Sequence, residues 1–575
     1  MVRNDEQRVV GIYSGHNSSV AMIEDGTCKF AAQEERFTNV KNQGGVPIRG
    51  LSCLQRHFDL GRTVFVAWTG RNIIRYVWKK REVERNFDPS TSFILDRVKG
   101  FVRRIGFVNE FLNDNRSKDL HKKLSDIFSD KTVQISRIDH HLCHASAAYF
   151  GWGKMDEKIL VLTCDGAGDG LCATVNIGEG GEIRRIASVE AAYSVARLYA
   201  LLTYIMGMVP LEHEYKIMGL APYAYGSREA HSIAQRLGQL FTFEPKNPMV
   251  WRTIGCPPMR YANKYFADFF QNKRFDHMAA GMQLFLEQFL TKWVSQCIRE
   301  TGIRKVALSG GVFMNVKANQ KIAEIRGLEE LFIFPSCGDE SNAIGASYYL
   351  YNAMLKRAPQ PIGPLYLGDS FENEDVESAL SEFRFRNKVT VATPADIEKS
   401  VAELLHKGKI VARFKGRMEF GARALGNRSI LANPADPKVV RTINEMIKSR
   451  DFWMPFCPSV LGETSEKYFI KPLDIPAPYM IITFDSRKEK RDKMIAALHP
   501  YDYTGRPQEV YEDWNPTYYK LIKYFEELTG ESIILNTSFN LHGEPIVRSP
   551  EDALRVFDVS DLQYLAIEDF LISKK

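Results

Sequence analysis

Two stretches of the chain share one rhythm of apolar runs and polar turns. In VVGIYSGHNSSVAMIEDGTCKFAAQEE, an apolar run from Val9 to Tyr13 enters a small polar turn, a second run follows, and Glu24-Asp25-Gly26 turns into a third. In ILVLTCDGAGDGLCATVNIGEGGEIRRIAS the order recurs: a run, the turn Asp165 to Gly170, a run, a Gly-rich hairpin, and a third run. Runs of this length bounded by Gly, Asp and Asn predict strands joined by hairpins, and their recurrence predicts an internal duplication. Paired hairpins suit a two-lobed nucleotide-binding fold, because each tight turn exposes backbone N–H groups that can hold phosphate oxygens. On that reading Asp165 and Asp169 could position a cation or water beside the phosphates.

Between the two copies, Val133 to Ile138 alternates as a short strand, and the small and apolar residues from Ala145 onward favour helix. The intervening IDHHLCHASAAYF therefore places three histidines where a helix opens. His140 and His144 are four apart and share one helix face, while His141 points elsewhere. Two neutral imidazoles so placed could bind one divalent ion, with packing as the alternative of equal standing until a third ligand is found.

Further on, KVALSGGVFMNVKANQKI reads as a strand, a Gly-Gly turn and a helix beginning near Phe313 or Met314. Gly310 and Gly311 would let a flat base or ribose approach the backbone, and Asn315 could bond to it. LFIFPSCGDESNAIGASYYL predicts a strand ending at Pro335, a loop, and a helix from near Ser341. Ligands gather at strand ends in α/β sheets, so Asp339 in that loop is the candidate third ligand, against the alternative of a helix cap. Two imidazoles and a carboxylate would leave positions open to substrate oxygens.

Length and composition narrow the classes. A chain of 575 residues exceeds one core and should hold two or more domains. With 45% hydrophobic and 25% charged residues it falls in the ordinary globular class, and a net charge of +6 over that length does not point to nucleic acid. Nine cysteines without a CxxC spacing argue against a disulfide framework and a structural zinc cluster. The uncharged stretch Leu198 to Leu211 falls short of the roughly 20 residues of a membrane span. Met1 to Arg8 is polar rather than a signal segment, so a cytoplasmic location with no membrane partner is expected.

After Lys356 the prolines of RAPQPIGPLYLGDSF break the preceding helix, which divides the chain into residues 1–357 and 358–575. In the second part a strand at Lys409 to Phe414 leads into KGRMEFGARALGNRSILANP, where Lys415, Arg417, Arg423 and Arg428 are interleaved with glycines. Lys448 and Arg450 follow, on and just past a predicted helix Lys438 to Lys448. That density suits a compact, multiply charged anion such as phosphate. SIILNTSFNLHGEPIV then sets Asn536, Ser538 and Asn540 at a strand end.

Taken together, DHHLCHASAAY, CDGAGDG, EYKIMGLAPY, ALSGGVFMN, GDESNAIGA, GRMEFGARALGNRSILANP and NTSFNLHGEPIV resemble the ATP-dependent O-carbamoyltransferases that modify nodulation factors, cephems and tobramycin-type antibiotics. The resemblance runs in order along nearly the whole chain. It implies an α/β protein with an N-terminal two-lobed actin/sugar-kinase-like domain, built on a duplicated β-hairpin core, and a C-terminal YrdC-like α/β domain. It implies that a carbamoyl group from carbamoyl phosphate is joined to the AMP moiety of ATP and passed to an acceptor hydroxyl.

By motif, His140, His144 and Asp339 match the family's divalent metal site, of Fe(II) type. Gly310, Gly311 and Asn315 match its nucleotide loop, with Asp165, Gly166, Gly168 and Asp169 on the phosphate side. Lys41, Arg423, Lys448, Ser538 and Asn540 correspond to its carbamoyl phosphate site, Arg423 and Lys448 being catalytic, and His16 to a histidine near the acceptor. Two departures are visible: His16-Asn17-Ser18-Ser19 replaces His-Asp-Ala-Ser, and Gly421-Ala422-Arg423 replaces Gly-Pro-Arg.

The partners implied are carbamoyl phosphate and a hydroxylated small-molecule natural product, with no nucleic acid, and a homodimer is left open. Three other readings stay open at this point: a tRNA threonylcarbamoyl-type transferase, a metallohydrolase, and a non-enzymatic ATP-binding sensor. Leu60 to Asp130 and Gly226 to Lys273 lie outside the shared motifs, are rich in aromatic and basic residues, and are expected to form the acceptor pocket or its lid.

Overall fold

The computed structural model describes residues 8–70, 86–88 and 122–575. The chain forms two compact units, Met1–Glu34 with Asn42–Ile362, and Glu35–Lys41 with Gly363–Lys575. It therefore leaves the first unit at Glu34 for seven residues and returns at Asn42.

In the first unit, β1 (Arg8–Tyr13), β2 (Ser19–Glu24), β3 (Thr27–Gln33), β4 (Thr63–Thr69) and β5 (Thr132–Ile138) form a sheet in the order β3-β2-β1-β4-β5. A second sheet holds β6 (Ile159–Gly168), β7 (Leu171–Glu179), β8 (Glu182–Glu190), β11 (Lys305–Ser309) and β12 (Glu330–Ile333), in the order β12-β11-β6-β7-β8. Between β8 and β11 the chain makes a separate ribbon of β9 (Phe241–Glu244) and β10 (Asn247–Thr253).

Both five-stranded sheets follow one plan. A three-stranded antiparallel meander is extended on the side of its first strand by two parallel strands. This is the duplication that the repeated hairpins predict. Ile159 to Cys164 of β6 are all buried, as a strand covered on both faces requires.

The helices His140–Trp152 and Asn342–Leu355 pack on each other. Their approach depends on Gly345, where a Cβ would come within 1.9 Å of the Cys143 carbonyl oxygen. Helix His140–Trp152 starts at Asp139, whose carboxylate accepts the Leu142 N–H at 3.0 Å, and stops at Gly153 with φ 82°. It has no wholly polar face and is buried accordingly. The stretch from Leu198 contributes to the helix Val195–Ile205, and among the described residues no helix is long and apolar enough to cross a membrane.

The second unit is a mixed eight-stranded sheet in the order β13-β23-β22-β14-β15-β21-β16-β20. Its strands are β13 (Val389–Ala392), β14 (Val411–Phe414), β15 (Arg428–Ala432), β16 (Cys457–Leu461), β20 (Gln508–Val510), β21 (Ile533–Ser538), β22 (Tyr564–Ile567) and β23 (Phe570–Lys574). A small sheet of β17 (Phe469–Ile470), β18 (Phe484–Ser486) and β19 (Thr504–Gly505) accompanies it. Successive strand residues serve opposite cores: Ala412, Phe414, Ile430 and Leu535 join one apolar cluster, Val411, Leu431 and Ile534 the other.

Three predicted boundaries shift. The helix after Gly310-Gly311 begins at Val316, because Asn315 caps it and Gly311–Met314 forms a 3-10 turn. The helix predicted from Lys438 to Lys448 is α-helical only to Ile443, and Asn444–Lys448 is a π turn that ends in left-handed Ser449. The strand predicted from Lys409 starts at Val411.

Candidate active site

Four side chains from three places converge in the first unit. His140 and His144 come from the start of their helix, Asp165 from β6, and Asp339 from the 3-10 turn Asp339–Ser341 that follows β12. All four are buried, and one donor atom of each lies within 4.8 Å of the others. His140 Nε2 is 3.3 Å from Asp165 Oδ2 and 3.4 Å from Asp339 Oδ1. His144 Nε2 is 3.3 Å from that same Asp339 oxygen.

The surroundings fix these groups. Ser309 Oγ lies 3.2 Å from His144 Nδ1, and the Asn342 amide nitrogen 3.2 Å from His144 Nε2. The Asp169 carboxylate accepts the His140 main-chain N–H at 2.9 Å. The second oxygen of Asp339 accepts the Tyr13 hydroxyl and lies 3.2 Å from His16 Nε2.

Buried carboxylates require a counter-charge. Burial opposes the charge on His140, but the Asp339 and Asp165 carboxylates outweigh it and raise the imidazole well above its usual range. Burial likewise pushes Asp339 up, yet His140 and His16 hold its carboxyl well below the usual range. A divalent cation would supply the same counter-charge, and two nitrogens with two carboxylates suit a first-row ion, so the residues fit the expected metal.

His141 does a different job. It is fully buried, its Nδ1 is 2.8 Å from Thr163 Oγ1, and burial followed by its two histidine neighbours lowers it to about 3. It packs as a neutral ring.

Asp165, placed with the phosphate loop by motif, thus stands inside the donor cluster, and its other oxygen accepts the Gly311 N–H at 3.1 Å. Gly310 has φ 111°, and a Cβ there would come within 2.3 Å of the Cys164 carbonyl oxygen. Gly168 lies under the His140 ring, where a Cβ would meet Cδ2 at 2.1 Å, whereas the space beside Gly166 is open. Asn315 is engaged elsewhere: it accepts the Ala318 N–H at 3.0 Å and exchanges amide hydrogen bonds with Gln283 at 2.8 and 2.9 Å.

In the second unit, Lys448 is 2% exposed. Its Nζ donates to the Ser538 carbonyl, to Ser538 Oγ at 3.2 Å, to the Asn540 carbonyl at 3.2 Å and to Asn540 Oδ1 at 2.7 Å. Burial, then the charges of Arg450 and Lys41, push its ammonium well below the usual lysine range. Lys448, Ser538 and Asn540 of the motif-derived set are therefore drawn to one place.

Arg423 sits half-buried in the loop Gly421–Arg428, which buried side chains pin from several sides. One Glu419 oxygen accepts the N–H groups of Leu425, Asn427 and Arg428 at 2.8, 2.8 and 3.0 Å. Tyr366 and Gln508 donate to the Leu425 carbonyl at 2.8 and 2.7 Å, and Arg413 to the Gly426 carbonyl at 2.9 Å. Glu419 lies within the GRMEFGARALGNRSILANP motif, whereas Tyr366, Arg413 and Gln508 fall outside the quoted motifs, scattered over some 140 positions. Arg428 is turned into the core, its guanidinium 3.6 Å from the Phe414 ring centroid, and burial lowers it to about 10.

Of the segments expected at the acceptor, residues 71–85 and 89–121 of Leu60 to Asp130 lie outside the described residues. Gly226 to Lys273 forms the helix Arg228–Gln239, the β9–β10 ribbon and the helix Asn263–Phe270. Its Trp251, Phe266 and Phe270 are buried, with Trp251 edge-on to Trp293 at 5.1 Å.

Fold and site together define a two-unit α/β enzyme. Family models described as carbamoyltransferase N-terminus and carbamoyltransferase C-terminus match residues 8–348 and 402–574, and the chain belongs to that family of enzymes, which transfer carbamoyl groups. An uncharacterized protein of Methanocaldococcus jannaschii is 32% identical over 99% of this chain and 100% of its own length. Nodulation protein NolNO of Sinorhizobium fredii is 32% identical over 97% of this chain and 79% of its own. Among solved structures, full-length HypF in its phosphate- and nucleotide-bound form is similar at 13% identity, TM-score 0.33, over 61% of this chain and 56% of that one, too slight a likeness to carry an argument.

Proposed function

We propose that the enzyme forms carbamoyl-adenylate from carbamoyl phosphate and ATP, and passes the carbamoyl group to a hydroxyl of a small-molecule natural product. The observation that carries this reading is Lys448, a buried amine gathering Ser538 and Asn540 in the C-terminal unit of a carbamoyltransferase. A phosphate there would restore the ammonium that burial disfavours.

Adenylate formation is assigned to the second unit. Lys41, Arg423 and Lys448 neutralise the phosphoryl oxygens of carbamoyl phosphate, and Ser538 and Asn540 orient it. One water molecule cleaves carbamoyl phosphate to carbamate and phosphate, and exclusion of further water protects the carbamate from decomposition. A carbamate oxygen attacks the α-phosphorus of ATP, the bond to the β-phosphate oxygen breaks, and pyrophosphate leaves.

Transfer is assigned to the first unit. The turns at Asp165-Gly166 and Gly168-Asp169 hold the nucleotide phosphates through backbone N–H groups, and Gly310-Gly311, which lack side chains, let its base or ribose approach the backbone. His140, His144, Asp165 and Asp339 would hold a divalent ion of Fe(II) type, which would supply Lewis-acid charge near the AMP phosphate. Asp339 orients His16, which takes the proton of the acceptor hydroxyl as that oxygen attacks the carbamoyl carbon and AMP departs.

The test is to incubate the protein with ATP, carbamoyl phosphate and a panel of hydroxylated natural products. AMP and pyrophosphate release that depends on carbamoyl phosphate, with a carbamoylated product by mass, is the expected outcome. No consumption of carbamoyl phosphate with any acceptor would reject the reading.

A further inference from the structure

The seven residues Glu35–Lys41 come from the N-terminal part of the sequence and fold with the second unit. Both roots of this strap are fixed at Ser18, whose carbonyl accepts the Glu34 N–H and whose N–H donates to the Gln43 carbonyl, each at 2.9 Å. The excursion is thus a closed loop of set length.

Inside the second unit the strap is anchored along its course. Phe37 lies 4.9 Å from the Arg548 guanidinium, and Asn39 donates to the Asp552 carboxylate at 3.1 Å. The innermost anchor is Arg36, 3% exposed, whose Nη2 donates to the Gly421 carbonyl at 2.6 Å. Gly421 stands two residues before Arg423, and Arg36 five residues before Lys41. One hydrogen bond thus ties together the two backbone segments that carry the cations assigned to carbamoyl phosphate.

We propose that Arg36 is a positioning residue for carbamoyl phosphate: through the Gly421 carbonyl it holds the Glu35–Lys41 strap and the Arg423 loop as one piece, so that Lys41 and Arg423 serve the same anion. The inference rests on the assignment of carbamoyl phosphate to this unit. The buried guanidinium gives Nη2 to the Gly421 backbone, with Nη1 3.8 Å from the Glu35 carboxylate, and its assigned part is to hold the two segments rather than to touch the anion. A fixed separation of two cations matters for a small rigid anion far more than for a long flexible one.

The experiment measures carbamoyl phosphate-dependent pyrophosphate release by the full chain, with KM for carbamoyl phosphate and for ATP determined separately. Arg36→Met is expected to raise KM for carbamoyl phosphate about tenfold, the loss of one charge-assisted hydrogen bond, while KM for ATP stays within about twofold. Arg36→Lys, which keeps one donor and the charge, is expected to recover part of that loss. Asn39→Ala, which removes an exposed anchor, should change neither constant.

If Arg36→Lys and Arg36→Met both keep the wild-type KM for carbamoyl phosphate, the inference is overturned. It is equally overturned if kcat and the melting temperature fall while both KM values rise together in both variants, because the residue is then merely structural. If the unsubstituted protein releases no pyrophosphate with carbamoyl phosphate, the functional reading itself fails, an outcome distinct from either of these.

Discussion

One oxygen of Asp339 lies 3.3 Å from His144 Nε2, while its second oxygen lies 3.2 Å from His16 Nε2. A single carboxylate thus serves both the donor cluster and the histidine proposed for the acceptor side. Asp339→Asn removes the charge but keeps the size. The expected result is a loss of more than about a hundredfold in divalent-metal affinity, read by titration of the metal-free protein with Fe(II) under anaerobic conditions. Asp165→Asn should produce a loss in the same direction if four groups, rather than three, hold the ion.

Gly168 offers a gentler way to disturb the same cluster. A methyl there would collide with the His140 ring, whose Nε2 is held 3.3 Å from Asp165 Oδ2. Gly168→Ala should therefore displace one imidazole and weaken metal binding by about tenfold, with secondary structure unchanged by circular dichroism. An unchanged metal affinity would show that the ring has room to move.

How far the residues disclosed this arrangement depends on how local each feature is. The duplication was readable because each copy carries its own turns, Glu24-Asp25-Gly26 in one and Asp165 to Gly170 in the other. His140, His144 and Asp339 were readable from helical spacing and a strand end. Asp165 was readable as a residue that could position a cation beside phosphates, but not as a direct neighbour of His140: that depends on how the helix His140–Trp152 packs on β6, as the Gly311 contact depends on the parallel register of β6 against β11.

The π turn before Lys448 was hidden for a similar reason. Its residues form an α-helix as readily, and what accompanies the wider turn is Lys448 reaching Ser538 and Asn540, ninety residues and more away. Arg36 and Gly421 are separated by 385 residues and carry no shared motif. Asn315 shows the reverse case, in which a motif suggests nucleotide contact and the side chain is occupied in capping its own helix.

Lys448 predicts how stability varies with pH. Its folded-state pKa lies below that of an unfolded lysine, about 10.4, so in the interval between them the unfolded chain holds more protons. Stability from this residue therefore rises with pH through that interval and levels off above it. Lys448→Met should flatten this slope and be the more stable protein at its lower end, as read by urea unfolding at several pH values. Binding of inorganic phosphate in the same interval should draw a proton onto the amine, seen by calorimetry in buffers of different ionisation enthalpy.

The two halves of the proposed reaction separate at His16 and Arg423. His16 stands beside the donor cluster in the first unit and Arg423 in the pinned loop of the second, so each should govern one step. His16→Asn keeps a hydrogen-bonding side chain but cannot accept a proton near neutrality. Carbamoyl transfer to the acceptor should slow by roughly 10²–10⁴-fold, the usual reach of general-base catalysis, with carbamoyl phosphate-dependent pyrophosphate release preserved. Arg423→Met should do the opposite: pyrophosphate release falls because phosphoryl charge is no longer neutralised, while transfer from supplied carbamoyl-adenylate continues. Equal loss of both half-reactions in the His16 variant would remove its role as base. Normal pyrophosphate release in the Arg423 variant would remove that arginine from the first step.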